Sequence, residues 1–148
     1  MVKPPFTIRD LGEVAIRCGE IGPMFAFYRD IIGLEVLRAP ESGIGFFRIC
    51  TGYAGHTCVL ALFAAEAGAA AFAGTTGAVT AGSHSSLHHL ALTVDYGEQD
   101  EAVAWYRRHG LEPVVQEFPW IGWRGVFVQD PEGNTVELVA KDPAWRGG

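Results

Sequence analysis

The first clear pattern in the chain lies at residues 11 to 18, where apolar side chains recur at alternate positions. A two-residue period is typical of a strand with one face against a core, because successive side chains point to opposite faces. We expect the more apolar face to lie under a helix, which leaves Glu13 on the opposite face. The two faces are Val14, Ile16 and Cys18 on the apolar side and Glu13, Ala15 and Arg17 on the other.

Helix punctuation and apolar runs predict the elements that follow. Residues 22 to 33 are predicted to form a helix, because Pro23 stands in the first turn and Gly33 at the end, where these residue types are preferred. Apolar segments then predict strands at residues 36 to 37, 43 to 50 and 57 to 63. The first module is therefore predicted as strand, helix, strand, strand, strand.

The second half of the chain repeats the first. Residues 11 to 16 match residues 87 to 92 with an offset of 76, and two later segments match with offsets of 78 and 77. A spacing that holds over three separate elements predicts two modules of one kind. The later matches are Phe27-Tyr28-Arg29 with Trp105-Tyr106-Arg107, and Gly33-Leu34-Glu35 with Gly110-Leu111-Glu112.

The second module is predicted to have the same order of elements. Its segments are a strand at 87 to 94, a helix from about 98 to 109, and strands near 113 to 118, 123 to 129 and 135 to 140. The predicted fold class is α+β, with two pseudo-symmetric βαβββ modules that form cupped mixed sheets with helices on the outer face. We expect a single domain over residues 1 to 148, made of module 8 to 64 and module 86 to 141 joined by linker 65 to 85.

Three ionisable side chains fall on the strand faces that turn away from the helices. Alternation places Glu13 there in the first strand of module one, His89 in the first strand of module two, and Glu137 in the last strand. His88 points to the other face, where a partly buried structural histidine is expected. The three residues predict a metal-sized polar site between two small sheets.

Composition narrows the classes of partner. A chain of 148 residues with 49% hydrophobic content can bury one sizeable core. A net charge of −6 argues against nucleic acid, so we expect a small-molecule ligand. The chain has no apolar run of membrane-spanning length and no secretory signal, and its three cysteines show no Cys-x-x-Cys spacing. We therefore expect a cytoplasmic protein that does not bind membranes.

Three segments together resemble the vicinal oxygen chelate superfamily. They are Phe-Tyr-Arg-Asp-x-x-Gly-Leu at 27 to 34, His89 in His-Leu-Ala-Leu, and Asp-Pro-Glu-Gly-Asn-Thr-Val-Glu-Leu at 130 to 138. The superfamily includes glyoxalase I, methylmalonyl-CoA epimerase, extradiol dioxygenases, fosfomycin-modifying enzymes and the metal-free bleomycin-resistance proteins. The resemblance extends from about Leu11 to Ala140, and it implies that the protein is a homodimer.

The resemblance also implies where metal ligands lie. In metal-using members, ligands come from the first and last strands of each module, which here are Glu13, Ala61, His89 and Glu137. His89 and Glu137 match the family, whereas His or Gln is commoner at the position of Glu13, and Ala61 cannot bind a metal. A three-ligand site like that of the fosfomycin enzymes is the expectation, formed within one chain or shared across a dimer.

The donor set defines the chemistry that is expected. Glu13, His89 and Glu137 offer two carboxylates and one imidazole, a set that suits Mn, Fe(II), Zn or Mg. Without a metal, two ionised carboxylates in one pocket would repel each other. Glu13 and Glu137 are the candidate catalytic residues that take a proton from a carbon next to a carbonyl. His56 is an alternative ligand in place of Ala61 if the register slips.

The expected function is a metal-dependent lyase, isomerase or dioxygenase acting on a small molecule with adjacent oxygens. The alternative is a metal-free protein that sequesters a drug or aromatic metabolite, and a third option is a fold kept for partner binding. Extradiol dioxygenation ranks lower, because it normally requires two histidines and one carboxylate. The candidate substrate contacts are Arg48, Phe46, Trp123 and Phe127, beside Phe118 and Trp120. Arg48 could instead pair with a carboxylate of the protein.

Overall fold

The computed structural model describes residues 9–11, 13–52, 54, 56–65, 89–119 and 122–146. The chain divides into two compact units, Met1–Val79 and Thr80–Gly148, and each contains one four-stranded sheet. The predicted linker lies outside the described residues except for Ala65. Single-domain organisation therefore stays a prediction, whereas the α+β class with two βαβββ modules is confirmed.

The first unit contains four strands and one helix. The sheet order is β1-β4-β3-β2, with β1 parallel to β4 and the other neighbours antiparallel. Helix α1 continues directly into a π-helical turn at Phe27–Ile31, in which the N–H of Ile32 donates to the carbonyl of Phe27 at 3.1 Å. The elements are β1 Glu13–Cys18, α1 Ile21–Ala26, β2 Glu35–Arg38, β3 Ile44–Thr51 and β4 Thr57–Ala64.

The core of the first unit lies between the helix and the apolar face of its sheet. Phe25 of α1 packs against Phe47 of β3 with ring centroids 4.6 Å apart, and Tyr28 is fully buried beside them. On β1, Ile16 and Cys18 are buried whereas Glu13 is exposed. The alternation predicted for this strand is therefore confirmed.

The second unit has the same order of elements. Its sheet order is β5-β8-β7-β6, with β5 parallel to β8 and antiparallel pairing elsewhere. A 3-10 turn at Tyr96–Glu98 with an Asp95/Glu98 capping box leads into the helix. The elements are β5 Leu90–Thr93, α2 Gln99–Arg108, β6 Val114–Phe118, β7 Trp123–Gln129 and β8 Thr135–Lys141.

The core of the second unit includes a buried tyrosine and a buried glutamine. Tyr106 of α2 is 2% exposed, and burial raises the pKa of its phenol to about 12. Gln99 is fully buried, and its Nε2 donates to the carbonyls of Arg124 and Leu138 at 2.7 and 3.0 Å. The amide therefore ties the first turn of α2 to β7 and β8. Tyr28 and Tyr106, which the repeat matches, are both buried packing residues.

Register identifies equivalent positions in the two sheets. Ala15 pairs with Ala61 in the first sheet, and Ala91 pairs with Glu137 in the second, so the offset of 76 residues holds for both strands. Across the next ladder, Ala61 pairs with Phe46 and Glu137 pairs with Phe127. The internal repeat is therefore confirmed at the level of strand pairing.

Two further sequence expectations concern cysteines and membranes. Cys18, Cys50 and Cys58 are free thiols, and burial together with Cys50 raises the pKa of the Cys58 thiol. Among the residues that the structure describes, none of the helices combines the length and the apolar character needed to cross a membrane.

Candidate functional site

His89 and Glu137 lie together on the open face of the second sheet. His89 Nε2 and Glu137 Oε2 are 3.2 Å apart. His89 stands directly before β5, two residues from Ala91, which pairs with Glu137. Side chains two residues apart on a strand share a face, so the parallel pairing brings the imidazole diagonally over the carboxylate. Two of the three predicted ligands are therefore neighbours.

The hairpin between β7 and β8 is held by a buried aspartate. Asp130 is 4% exposed. Its Oδ1 accepts from the backbone N–H groups of Glu132 and Asn134 at 3.0 and 2.9 Å, and its Oδ2 accepts from Asn134 Nδ2 at 2.8 Å. These bonds close the turn at residues 130 to 133 and start β8 at Thr135, which fixes the face on which Glu137 stands.

Glu137 is a buried carboxyl group with an aromatic neighbour. Its side chain is 7% exposed, against 35% for His89. Burial raises the pKa of the Glu137 carboxyl, and the nearby His89 opposes that shift. Phe127 is the register partner of Glu137, and its ring stands nearly perpendicular to the His89 ring at 6.3 Å between centroids. The site therefore holds a poorly solvated carboxyl beside an accessible imidazole.

Gly125 on β7 gives Glu137 its space. A Cβ placed on Gly125 would overlap Glu137 Oε1 and would lie 2.7 Å from Phe127 Cε2. Sequence reasoning did not select Gly125. The available signal was a glycine inside a predicted strand, which often marks a close approach of another group.

A cleft in the second unit borders the same face. Its volume is about 450 Å³. Phe127 contributes to this cleft and also packs against His89. Other lining residues are Leu111, Glu112, Val114, Gln129 and Thr135. Among the described residues, those that line this cleft include no Lys or Arg, and they combine apolar side chains with three polar ones, of which Glu112 is acidic.

The first unit places its predicted site residues differently. Glu13 is exposed and pairs with Val59, which also pairs with Arg48 on β3. Arg48 Nε lies 3.0 Å from Glu35 Oε2, so the arginine pairs with a carboxylate of the protein, the alternative that was given for it beside substrate contact. Ala61 is fully buried at the position equivalent to Glu137. The first sheet therefore has no carboxylate where the second has one.

The remaining predicted residues lie on strands and at strand ends. Phe46 is half-buried, with its ring centroid 6.4 Å from that of Phe63. Trp123 is 44% exposed at the start of β7, on the face that also carries Phe127. His56 is exposed next to β4. His88 and Trp120 lie outside the described residues.

The distance between His89 and Glu137 suits a divalent metal. For ligands roughly 2.1 Å from an ion, neighbouring ligand atoms lie about 3.0 Å apart at right angles and about 3.4 Å apart at the tetrahedral angle. The observed 3.2 Å falls between these values. Within the described ranges no group of three or more His, Cys, Asp or Glu side chains is arranged to hold a metal. The pair fits two ligand positions, and Glu13 belongs to the other unit.

The two sheets have the same strand order, so the protein belongs to the class of folds built from two βαβββ modules. The sequence model of the Glyoxalase/Bleomycin resistance protein/Dioxygenase superfamily matches residues 10–138 of the chain. The chain belongs to that superfamily, which confirms the resemblance identified from sequence.

Three individual relatives share 28% or less of their residues with this chain. The chain is 26% identical over 135 residues to a lactoylglutathione lyase of Salmonella typhimurium, covering 89% of this chain and 93% of the relative. The structure of a lactoylglutathione lyase from Agrobacterium tumefaciens is similar, with TM-score 0.65, 28% identity, and 93% and 95% of the two chains covered. The fosfomycin resistance protein FosX from Listeria monocytogenes, solved with Mn(II) and 1S,2S-dihydroxypropylphosphonic acid, has TM-score 0.66 and 18% identity over 95% and 96% of the chains. This last likeness shows the fold alone.

Proposed function

We propose that the protein is a metal-dependent enzyme that acts on a small molecule with adjacent oxygens. The observation that carries this proposal is the His89–Glu137 pair, in which a buried carboxyl lies 3.2 Å from an imidazole nitrogen. Both residues stand at positions where the superfamily resemblance implies ligands. Of the lyase, isomerase and dioxygenase alternatives, similarity to two lactoylglutathione lyases favours a lyase.

His89 Nε2 and Glu137 Oε2 are the atoms that would hold the ion. Glu13 is the proposed third ligand, supplied by the same chain or by a second chain of a homodimer. Mn, Fe(II), Zn and Mg all suit two carboxylates and one imidazole. Such an ion, when bound, would supply Lewis-acid polarisation of substrate oxygens.

The side chains of the protein would perform the remaining chemistry. Burial raises the pKa of Glu137, which makes its carboxylate a stronger proton acceptor than a solvated one. Glu13 is exposed on its own sheet and is open to a substrate C–H group. A proton leaving the carbon next to a substrate carbonyl would pass to one of these two carboxylates. Phe127 would pack against the substrate and limit access of water to Glu137.

The cleft favours a second candidate function. A volume of about 450 Å³, with apolar side chains and a few polar ones in the walls, is the size of a site for a small ligand. A metal-free protein could use it to sequester an aromatic molecule, with Phe127 and Val114 as contacts. In that case His89 and Glu137 would act only as an ion pair.

Metal analysis of protein purified without a His tag or chelator separates the two candidates. Near-stoichiometric metal in the wild type that is lost in Glu137→Ala and His89→Ala supports the enzyme. The matched control is Glu101→Ala, which removes an exposed carboxylate from α2 in the same unit. If the wild type binds none of Mn, Fe(II), Zn or Mg after reconstitution, the sequestering protein replaces the enzyme as the proposal.

A further inference from the structure

We propose that Gly125 is a positioning residue for Glu137. The absence of a side chain at this point of β7 lets the Glu137 carboxylate lie against the strand with Oε2 facing His89. The inference rests on the proposed function in treating Glu137 as a metal ligand. It adds a residue that touches neither the ion nor the substrate but decides where one ligand stands.

The space above Gly125 is occupied from two sides. A Cβ at this position would overlap Glu137 Oε1 and lie 2.7 and 2.9 Å from Phe127 Cε2 and Cζ. Real Cβ atoms essentially never approach neighbours so closely, so both side chains would have to shift, and the overlap with Glu137 Oε1 is the closest of these contacts. Glu137 is the more flexible of the two, because its side chain has three rotatable bonds against two for Phe127, and Phe127 also packs against His89. An added methyl group would therefore displace the carboxylate.

Backbone conformation does not explain this glycine. Gly125 lies inside a regular antiparallel ladder opposite Val139, and its φ is not positive. Glycine inside a strand generally weakens the strand, because it provides no side chain for packing and loses more entropy on folding. Room for the carboxylate is therefore the reason that the structure supplies for glycine here.

The first unit provides an internal comparison for this position. Ile44 pairs with Phe63, and Gly125 pairs with Val139, 76 residues later than Phe63. Ile44 is therefore the counterpart of Gly125, as Ala61 is the counterpart of Glu137. The first sheet has a large residue, Ile44, on β3 and a small one, Ala61, on β4. The second sheet has the small residue, Gly125, on β7 and the large one, Glu137, on β8. At these two equivalent positions, the large and the small residue therefore change places between the sheets.

The decisive variant is Gly125→Ala, examined with and without metal. Without metal, the imidazole cross-peak of His89 in an NMR spectrum should shift towards its position in Glu137→Ala, because the carboxylate has left the ring. With Mn or Zn, calorimetry should show affinity at least about tenfold weaker than wild type, the loss seen when a ligand is no longer oriented. The control is Gly97→Ala, since a Cβ on Gly97 meets nothing within 4 Å.

A double variant keeps the test valid if Gly125→Ala folds poorly. In a Glu137→Ala background the carboxylate is gone and only the contact with Phe127 remains, so adding Gly125→Ala should lower Tm by less than it does in the wild-type background. A Tm loss equal in both backgrounds would mean that the methyl group acts through Phe127 or the strand, which overturns the proposal. An unmoved His89 cross-peak with wild-type metal affinity would also overturn it.

The readouts distinguish this inference from the proposed function. If the wild type binds no metal but the His89 cross-peak still moves in Gly125→Ala, the enzyme proposal fails and the positioning role of Gly125 stands. If the wild type binds metal and Gly125→Ala binds it equally well, with an unchanged cross-peak, the positioning role fails alone.

Discussion

The two sheets share strand order and register but differ in what their open faces carry. In the second sheet, Glu137 and His89 form a close pair next to Phe127. In the first sheet, the position of Glu137 is taken by the buried Ala61, and Arg48 is tied to Glu35. The same backbone therefore supports a close His–Glu pair in one unit and an alanine at the equivalent position in the other. Topology fixes which positions face each other on the sheet, and one or two residues decide whether those positions carry polar side chains.

The difference has an energetic reason. A carboxylate that is removed from water loses hydration, a cost that an opposite charge or a hydrogen bond must offset. The second unit meets this requirement with His89, whose Nε2 lies 3.2 Å from Glu137 Oε2, and Gly125 leaves room for the carboxylate in that place. The first unit avoids the requirement, because alanine has no polar group to satisfy.

The largest expected effect separates the two faces of the first sheet. Phe47 is fully buried under α1, so Phe47→Ala should cost about 3 to 5 kcal/mol of unfolding free energy. Phe46 is its half-buried neighbour on the open face, and Phe46→Ala should cost roughly 1 kcal/mol. Chemical denaturation measures both values. Equal losses would contradict the assignment of a core face and an open face.

Glu137→Ala gives the second sheet the residue that the first sheet has at Ala61. Loss of a direct ligand should weaken metal binding more than the 10- to 100-fold seen for residues that only support ligands. Calorimetric titration with Mn or Zn measures the affinity, and Glu101→Ala serves as the control. An unchanged affinity would remove the functional contrast between the units.

The pH dependence of stability tests the burial of Glu137. Its pKa is raised in the folded state, so the folded protein binds this proton more tightly than the unfolded chain. The charged carboxyl therefore lowers stability above its folded pKa, and the cost disappears below the unfolded value of roughly 4.3. In metal-free protein, Glu137→Gln should gain stability relative to wild type at pH 7 and lose that advantage near pH 4. Thermal unfolding at the two pH values checks this, and an advantage that grows on acidification would contradict it.

The smallest expected effect concerns Arg48 in the first sheet. The ion pair with Glu35 is partly exposed, so Arg48→Ala and Glu35→Ala should each change stability by less than about 1 kcal/mol. That Arg48 contacts the substrate stays a prediction, and measuring KM for the two variants tests it. A rise in KM for Arg48→Ala that Glu35→Ala does not reproduce would give the first sheet a role in binding. Equal KM values would leave Arg48 a structural residue.

Strands were predictable from sequence to within a few residues, because alternation and apolar runs are local signals. β7 begins and ends where it was predicted, at Trp123–Gln129; β5 covers Leu90–Thr93, and residues 87 and 88 of its predicted range lie outside the described residues. The predicted helix at 22 to 33 becomes α1 followed by a π-helical turn that ends at Ile31. That turn depends on which N–H the carbonyl of Phe27 accepts from, which residue types alone do not determine.

The candidate site was predictable in part. Alternation placed His89 and Glu137 on one face, but their separation depends on the pairing of Ala91 with Glu137, which strand periodicity does not specify. The partner of Arg48 depends on the bulged pairing of β2 with β3 in the same way. Gly125 escaped prediction because its role comes from the empty volume beside it, and sequence patterns record side chains that are present.

The space above Gly125 also bears on the order in which substitutions can accumulate in such a duplicated sheet. A change from alanine to glutamate at the position of Ala61, made while Ile44 still stands diagonally across on the neighbouring strand, would force the new carboxylate against that side chain. A change of Ile44 to glycine on β3 is then the permissive mutation that has to come first. The two changes are epistatic, and a laboratory lineage that converts the first unit into a copy of the second should acquire them in that order.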